Sequence, residues 1–228
     1  MVTFQFPPTT EVADLGELPQ TTLTLEPPFP EIFTGETVTL RCGVEGGSAG
    51  WKYLWYKDSE DTPVLQTAGR SITGDSYTIT AATVSDQGQY CCRRQREDQP
   101  LYSHLSDKVI LTVSDQWVIL QTPLQPVFEG DTLTLRCRDR YNSHITKVVF
   151  YKDNKELQSQ AGTELSVDHV SKSDEGSYKC TAWRLYSPYS GDSAEVWVTV
   201  RGRFILTERV LTLFSVSNVS QIHSHTHF

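Results

Sequence analysis

The octapeptide SDQGQYCC (Ser85–Cys92) decides the fold of this chain, because a near copy of it, SDEGSYKC (Ser173–Cys180), follows 88 residues later. Two further pairs of segments recur at an offset of 95 residues: IFTGETVTLRC (32–42) with VFEGDTLTLRC (127–137), and WYKD (55–58) with FYKD (150–153). Solenoid repeats have periods of about 20 to 50 residues, which is much shorter than this one. The chain therefore contains two copies of one domain.

Each copy has the residue pattern of β-strands. Segments such as TVTLRC, YTITAATV, KVILTV and AEVWVTV alternate apolar and polar residues, and clusters of Gly, Asp and Asn separate them. Many short strands bounded by turns, with one cysteine early and one late in each copy, predict a sandwich of two sheets. We therefore predict an all-β protein.

The landmarks within each copy are those of the immunoglobulin sandwich. Cys42 precedes Trp55 by thirteen residues, Cys137 precedes Phe150 by the same number, and each copy then contains Asp-x-Gly-x-Tyr-x-Cys. In this sandwich the two cysteines bridge facing sheets, an aromatic ring packs on the bridge, and the tyrosine makes a corner hydrogen bond. The predicted fold class is two tandem immunoglobulin-like domains of the C2/I type.

The adjacent cysteines Cys91 and Cys92 must point to opposite faces of their strand, because strand side chains alternate. Cys92 has the position of the structural cysteine, so the predicted bridges are Cys42–Cys92 and Cys137–Cys180. Such bridges imply an oxidising, extracellular or luminal setting. Cys91 is the fifth cysteine. Either neighbouring strands shield its thiol, or the thiol joins two copies of the chain in a disulfide-linked homodimer.

The predicted boundaries give an N-terminal extension at 1–20, domain 1 at 21–113, domain 2 at 114–200 and a C-terminal tail at 201–228. The segment LTVSDQWVILQT (111–122) joins the last strand of domain 1 to the first strand of domain 2 without a spacer rich in Gly, Pro or Ser. We therefore expect a short, stiff junction. The tail does not continue the repeat, and we expect it to be disordered.

Composition and scattered motifs exclude several kinds of function. The formal net charge of −8 disfavours nucleic acid as a partner. No apolar run reaches the roughly 18 residues of a membrane span, and the first residues lack a signal-peptide pattern. The histidines His104, His144 and His169 are scattered and no Gly-x-Ser-x-Gly is present, so we expect no enzyme activity, no cofactor and no metal site.

The predicted tail carries two further features. Asn218 begins the only Asn-x-Ser/Thr sequence, a glycosylation site if the chain is secreted. His223, His225 and His227 alternate and could bind a transition metal weakly, but a disordered tail is the favoured interpretation.

The sequence from about residue 22 to residue 200 resembles the two-domain ectodomain of immunoglobulin Fc receptors and Fc receptor-like proteins, and is similar to leukocyte immune-type receptors. The shared motifs of domain 2 are a junction Trp, an apolar strand ending in Leu-Gln, an EG turn, an LRC strand and KVVFYKD. The resemblance implies a secreted protein, or the ectodomain of a cell-surface receptor, that binds immunoglobulin Fc mainly through domain 2 and the junction. The alternatives are a leukocyte immune-type receptor for MHC class I-like or other cell-surface ligands, and a homotypic adhesion module.

The resemblance also implies which residues contact the ligand. In receptors for the Fc of IgG, the junction Trp and a second Trp, three residues after the first Cys of domain 2, hold an Fc proline between them. Trp117 matches the first position, whereas Arg140 stands at the second with Tyr141 beside it. Because of this departure, the bound antibody could be IgM or another immunoglobulin class. The alternative role of Trp117 is to pack between the two domains.

Three loops of domain 2 correspond to the Fc-contacting loops of the resembled receptors: B–C at 140–146, C′–E at 154–162 and F–G at 183–192. The F–G loop is rich in Trp, Tyr and Arg, the residue types that dominate interface hot spots. The alternative is that its aromatic rings only cover the end of the sandwich. The candidate ligand-contact residues are Trp117, Arg140, Tyr141, His144, Lys147, Trp183, Arg184, Tyr186 and Tyr189.

Overall fold

The computed structural model describes residues 20–44, 50–98, 100–124, 126–141, 145–157, 162–185 and 190–203. Within these ranges the chain consists of strands and loops, with two short 3-10 turns at Val84–Asp86 and Lys172–Asp174. The prediction of an all-β chain with two immunoglobulin-like sandwiches is confirmed. The N-terminal extension, most of the predicted tail, Asn218 and the three tail histidines lie outside the described residues.

Domain 1 contains eight strands in the described part of the chain: β1 (Thr21–Glu26), β2 (Glu31–Phe33), β3 (Val38–Val44), β4 (Trp51–Lys57), β5 (Arg70–Thr73), β6 (Ser76–Ile79), β7 (Gly88–Arg96) and β8 (Val109–Ser114). One sheet has the order β1-β3-β6-β5 and the other the order β2-β8-β7-β4. Strand β2 runs parallel to β8, while the other pairs are antiparallel. Strand β2 is thus the edge strand nearest the end of domain 1.

Domain 2 repeats this plan with strands β9 (Val118–Gln121), β10 (Val127–Phe128), β11 (Leu133–Asp139), β12 (Ile145–Lys152), β13 (Lys155–Glu156), β14 (Glu164–Val167), β15 (Gly176–Arg184), β16 (Ser190–Asp192), β17 (Val196–Val198) and β18 (Val200–Arg201). One sheet has the order β14-β11-β9, and the other the order β13-β12-β15-β16 with β17 also paired to β15. A short parallel pair, β10 with β18, corresponds to β2 with β8 in domain 1.

Each sandwich is closed around one disulfide bond. The predicted bridges Cys42–Cys92 and Cys137–Cys180 are both present, with sequence separations of 50 and 43 positions. Trp55 and Phe150 are fully buried beside them, as the thirteen-residue spacing predicts. Alternation places the apolar residues inside, and β1 is a clear case because TTLTLE is buried and exposed in strict alternation.

The repeated sequence motifs correspond to repeated hydrogen bonds. The Tyr90 hydroxyl donates to the backbone oxygen of Asp86 at 2.7 Å, and the Tyr178 hydroxyl donates to that of Asp174 at the same distance. Burial raises the pKa of both phenols, to about 12 for Tyr178, so each hydroxyl keeps its proton and remains a donor.

The Lys-Asp pair at the end of β4 and of β12 explains a second repeated motif. The Asp58 carboxylate accepts the amide of Gln89 at 2.8 Å, and the Asp153 carboxylate accepts the amide of Ser177 at 3.0 Å. Gly88 and Gly176 lie against these carboxylates at positive φ, so a side chain at either position would collide with them. In each domain, the Lys-Asp motif at the end of one strand is therefore hydrogen-bonded to the Asp-x-Gly-x-Tyr motif at the start of the neighbouring strand.

Cys91 carries a free thiol, and the structure buries it on the face of β7 opposite to the disulfide. Tyr56 of β4 is its cross-strand neighbour and is also buried. Burial raises the pKa of the thiol, with a further contribution from the nearby Glu60 carboxylate, so the protonated form dominates at neutral pH. Of the two sequence-based interpretations, the shielded thiol is the one that matches the structure. We therefore do not propose a disulfide-linked dimer through this residue.

Among the described residues, no helix has the length and apolar character needed to cross a membrane.

Candidate functional site

The candidate site lies at the end of domain 2 that adjoins domain 1. Only residues 115–117 separate the last strand of domain 1, β8, from the first strand of domain 2, β9. Trp117 is the last of these three, and its backbone oxygen accepts the amide of Arg140 at 2.9 Å. The short connection fixes the indole at the rim of domain 2, beside the ends of β11, β15 and β16.

Two contacts hold the Trp117 ring. The Arg184 guanidinium lies over the ring, with its central carbon 4.1 Å from the ring centroid. Gly191 of β16 packs against the indole so closely that a Cβ atom at this position would overlap ring atoms. Trp117 is therefore half-buried against domain 2 itself, and the glycine is required by a close approach and not by its backbone conformation.

The Arg184 guanidinium also lies close to a second aromatic ring, that of Tyr141. The central carbon of the Arg184 guanidinium lies 4.9 Å from the Tyr141 ring centroid, and the tyrosine itself is 68% exposed. Arg184 Nε lies 3.5 Å from the buried Asp139 carboxylate, an ion-pair distance that is long for a hydrogen bond. Trp117, Arg184 and Tyr141 thus form a stack of two rings and one guanidinium, which we call the Trp117 stack.

A second cation–π pair lies across strands β12 and β15. Lys147 and Trp183 face each other in the strand register, and the Lys147 ammonium is 4.9 Å from the Trp183 ring centroid. Lys147 is exposed and Trp183 is half-buried. An ammonium over an indole face is attractive by about 0.5 to 1 kcal/mol at exposed sites, so this pair is a weak interaction between neighbouring strands.

Arg140 points towards domain 1 and not towards the Trp117 stack. Its guanidinium donates to the backbone and hydroxyl oxygens of Thr34 at 3.1 and 2.8 Å, and to the backbone oxygens of Ser114 and Gln116 at 2.9 and 3.0 Å. It also lies over the Phe33 ring, 5.0 Å from the centroid. These bonds commit the side chain to contact between the domains.

Arg138 makes the neighbouring contact between the domains. It forms an ion pair with Glu36 of domain 1 and lies 5.2 Å from the centroid of the same Phe33 ring. Phe33 ends strand β2 and is fully buried. The two arginines of β11 and the following turn therefore enclose the end of β2, and we call this contact region, with β2 and β9, the interdomain joint.

Glu31 is the unusual residue of the interdomain joint. Its carboxylate accepts the amide of Thr122 at 3.0 Å and the hydroxyl of Thr122 at 2.8 Å, while its backbone oxygen accepts the side-chain amide of Gln121 at 3.0 Å. Burial raises the pKa of Glu31 to about 7, although the hydrogen bonds from Thr122 act in the opposite direction.

Most of the predicted contact residues fall into two groups. Trp117, Arg184 and Tyr141 come together, and so do Lys147 and Trp183, whereas Arg140 belongs to the interdomain joint. His144, Tyr186 and Tyr189 lie outside the described residues.

The predicted loop boundaries need correction, because the strands are longer than the sequence pattern indicates. Trp183 and Arg184 end strand β15, and residues 190–192 form β16, so the F–G loop is shorter than 183–192. Strand β12 begins at Ile145, inside the predicted B–C loop, and β13 lies inside the C′–E region. Side chains held by strands are more precisely placed than loop side chains.

Sequence reasoning missed the residues that hold the site together. Gly191, Asp139 and Phe33 make their contacts through close packing and not through a recognisable motif. Glu31 was missed as well, because its burial comes from the contact with Thr122 of domain 2 and not from the pattern of strand β2.

In the ranges that the structure describes, no group of three or more His, Cys, Asp or Glu side chains is placed to hold a metal ion. The Trp117 stack offers rings and cations, which suit recognition of another surface.

The chain is similar in sequence to several known proteins with immunoglobulin domains. The family model described as immunoglobulin domain matches residues 20–113 and 117–200. Fc receptor-like protein 3 of Homo sapiens is 35% identical over 173 residues, which are 75% of this chain and 21% of that protein. The low affinity immunoglobulin gamma Fc region receptor III of Rattus norvegicus is 31% identical over 188 residues, 82% of this chain and 64% of the receptor. The high affinity immunoglobulin epsilon receptor subunit alpha of Mus musculus is 28% identical over 178 residues, 77% and 65% of the two chains. The chain thus spans less than two thirds of the length of each of these relatives.

Proposed function

The chain belongs to the immunoglobulin-domain family, among Fc receptors and Fc receptor-like proteins, and from this we propose that it binds the Fc region of an immunoglobulin. The binding surface is the Trp117 stack of domain 2, together with the adjoining junction and the Lys147–Trp183 pair. The protein acts as a binding module without catalysis. It works outside the cell, either secreted or as part of a cell-surface receptor, because its two disulfides persist in oxidising compartments.

The Trp117 stack is the observation that carries this proposal. Trp, Tyr and Arg are the residue types most enriched among interface hot spots, and here one of each meets at the end of domain 2 that adjoins domain 1, with Tyr141 exposed. Gly191 and Arg184 fix the Trp117 ring before a partner arrives. Ordering side chains on binding costs about 0.5 to 1.5 kcal/mol for each flexible one, so a prearranged stack avoids part of that cost.

The stack also supports a mode of recognition different from a proline held between two tryptophans. Arg140 has the position of the second Trp, but its guanidinium bonds Thr34 and Ser114 in domain 1. The face of Trp117 is covered by Arg184, which belongs to this chain. We therefore propose that the Fc contacts the outer side of the stack, where Tyr141 is exposed, and that IgM or another class fits this surface as well as IgG does.

The experiment that tests the proposal measures binding of the purified chain to immobilised IgM Fc and IgG Fc in a biosensor. We expect saturable binding to at least one of the two. An MHC class I-like ectodomain is the third immobilised ligand, because it represents the alternative function. No binding to either Fc at high micromolar concentration would refute the proposal, and binding to the MHC-like protein alone would support the alternative.

A further inference from the structure

Glu31 joins the two domains through its side chain, and among the described residues it forms no ion pair with a cationic side chain. Its carboxylate accepts hydrogen bonds from the amide and hydroxyl of Thr122 in domain 2, at 3.0 and 2.8 Å, and from its own backbone amide. The residue is 7% exposed. Burial disfavours the ionised carboxylate more strongly than these hydrogen bonds favour it, so the protonated form is favoured in the closed joint.

The charged groups around Glu31 are engaged elsewhere or lie on the cleft wall. On domain 1, Lys108, just before β8, pairs with Glu60 at 2.7 Å, and Glu36, which follows β2, pairs with Arg138. On domain 2, Glu195 and Arg201 line the same cleft, while Gln121 and Thr122 facing Glu31 are neutral. None of the ion pairs within the described ranges includes Glu31.

Protons and water can reach this part of the joint. Glu31 lines a cleft of about 610 Å³ between the domains, together with Ile119 and Thr122 of domain 2. A buried carboxyl beside such a cleft can exchange its proton without unfolding of either sandwich.

We propose that Glu31 is a proton-binding site that controls the contact between the two domains: the protonated carboxyl closes the interdomain joint, and the ionised carboxylate loosens it. The proposal does not depend on the identity of the ligand. Because Trp117 and Arg140 lie at the same joint, a change in the contact reaches the candidate binding surface through Arg140.

The sign of the pH dependence follows from the two pKa values. The pKa of Glu31 is about 7 when the joint is closed and near its ordinary value of 4.5 when the carboxyl is in water. Closing the joint therefore takes up a proton between these values. The free energy that favours the closed joint is greatest below pH 4.5. It decreases as pH rises from 4.5 to 7, and it is constant above pH 7. The open fraction increases by up to about tenfold for each pH unit in that window.

Hydrogen exchange at the Thr122 amide measures this opening directly, because that amide is bonded to Glu31 across the joint. After correction for the intrinsic exchange rate, we expect its protection factor to decrease by roughly tenfold or more between pH 5.5 and pH 7.5. In Glu31→Gln, which keeps the shape but cannot ionise, protection should be the same at both pH values. The Cys180 amide in the core of domain 2 reports whether the variant is folded.

A matched control is Glu36→Gln, which removes the other carboxylate of the interdomain joint together with its ion pair to Arg138. It should lower Thr122 protection at both pH values and leave the ratio between them as in the wild type. Two results would overturn the proposal: wild-type protection at Thr122 that does not change with pH, or a change of the same size in Glu31→Gln.

Discussion

At the scale of single residues, the fold depends on a few polar side chains that bond backbone groups inside each sandwich. Asp86 shows how such a residue is maintained. Burial alone would raise its pKa, but hydrogen bonds from Arg70 and Thr83 bring the pKa below its ordinary value, so the carboxylate stays ionised at neutral pH. The same aspartate supplies the backbone oxygen that accepts the Tyr90 hydroxyl. One motif thus combines a turn, an ion pair and a corner hydrogen bond.

Removal of a corner hydroxyl tests this motif in each domain. Tyr90→Phe leaves the Asp86 oxygen without its 2.7 Å donor in a buried site, and we expect a loss of about 1 to 3 kcal/mol in the unfolding free energy of domain 1. Tyr178→Phe should cost less, because its hydrogen bond is only partly buried. Urea denaturation measures both.

The control for the corner substitutions is Tyr141→Phe, since Tyr141 is largely exposed. It should change the unfolding free energy by less than about 0.5 kcal/mol. Equal effects for Tyr90→Phe and Tyr141→Phe would contradict the structural role of the corner.

At the scale of elements, β2 and β9 are the strands that bring the two domains together. All three residues of β2 are buried, and so are all four of β9, although each strand lies at the edge of its own sheet. An edge strand buried on both faces needs a covering partner, and here each strand covers the other. Arg138 and Arg140 complete the contact by enclosing Phe33.

Arg140→Ala tests the interdomain joint. The substitution removes donors to Thr34, Ser114 and Gln116, and we expect the coupling between the domains to weaken by about 2 kcal/mol. In calorimetry the two domains should then unfold in more clearly separated transitions. Arg140→Lys should restore little, because an ammonium cannot reproduce the fork of donors.

Arg136→Ala is the matched control for Arg140→Ala, because Arg136 is exposed on the same strand, β11, and its carboxylate partner Glu164 is 3.8 Å away. It should leave the transitions unchanged within about 0.5 kcal/mol. If both substitutions had the same effect, the assignment of Arg140 to the interdomain joint would be wrong.

The same elements show what the sequence could and could not predict. Strand alternation and the spacing of Cys42, Trp55 and Cys92 predicted both sandwiches and both disulfides, because these features depend on period and register within one domain. The direction of Arg140 could not be predicted, since it depends on where Thr34 lies after the domains have docked. Gly191 was missed for a similar reason, as its role comes from one close contact with Trp117.

At the scale of the whole molecule, the two domains have similar folds but different roles. Domain 1 contributes strand β2 to the interdomain joint, and domain 2 carries the Trp117 stack, of which Tyr141 is the exposed member. The chain as a whole has a formal net charge of −8, whereas the candidate surface is formed by Arg184 and Lys147 with aromatic rings. This asymmetry gives the molecule one distinctive surface, and an acidic or polar patch on the partner would complement it.

The measurement that tests the central claim most directly is Fc affinity in the biosensor for Tyr141→Ala and Arg184→Ala beside Trp197→Ala. Trp197 is an exposed tryptophan on the cleft side of domain 2, so its replacement controls for general loss of aromatic surface. We predict that each of the first two substitutions weakens Fc binding about tenfold or more, while Trp197→Ala changes it less than twofold. Unchanged affinity in Tyr141→Ala and Arg184→Ala, or an equal loss in Trp197→Ala, would contradict the assignment of Fc binding to the Trp117 stack.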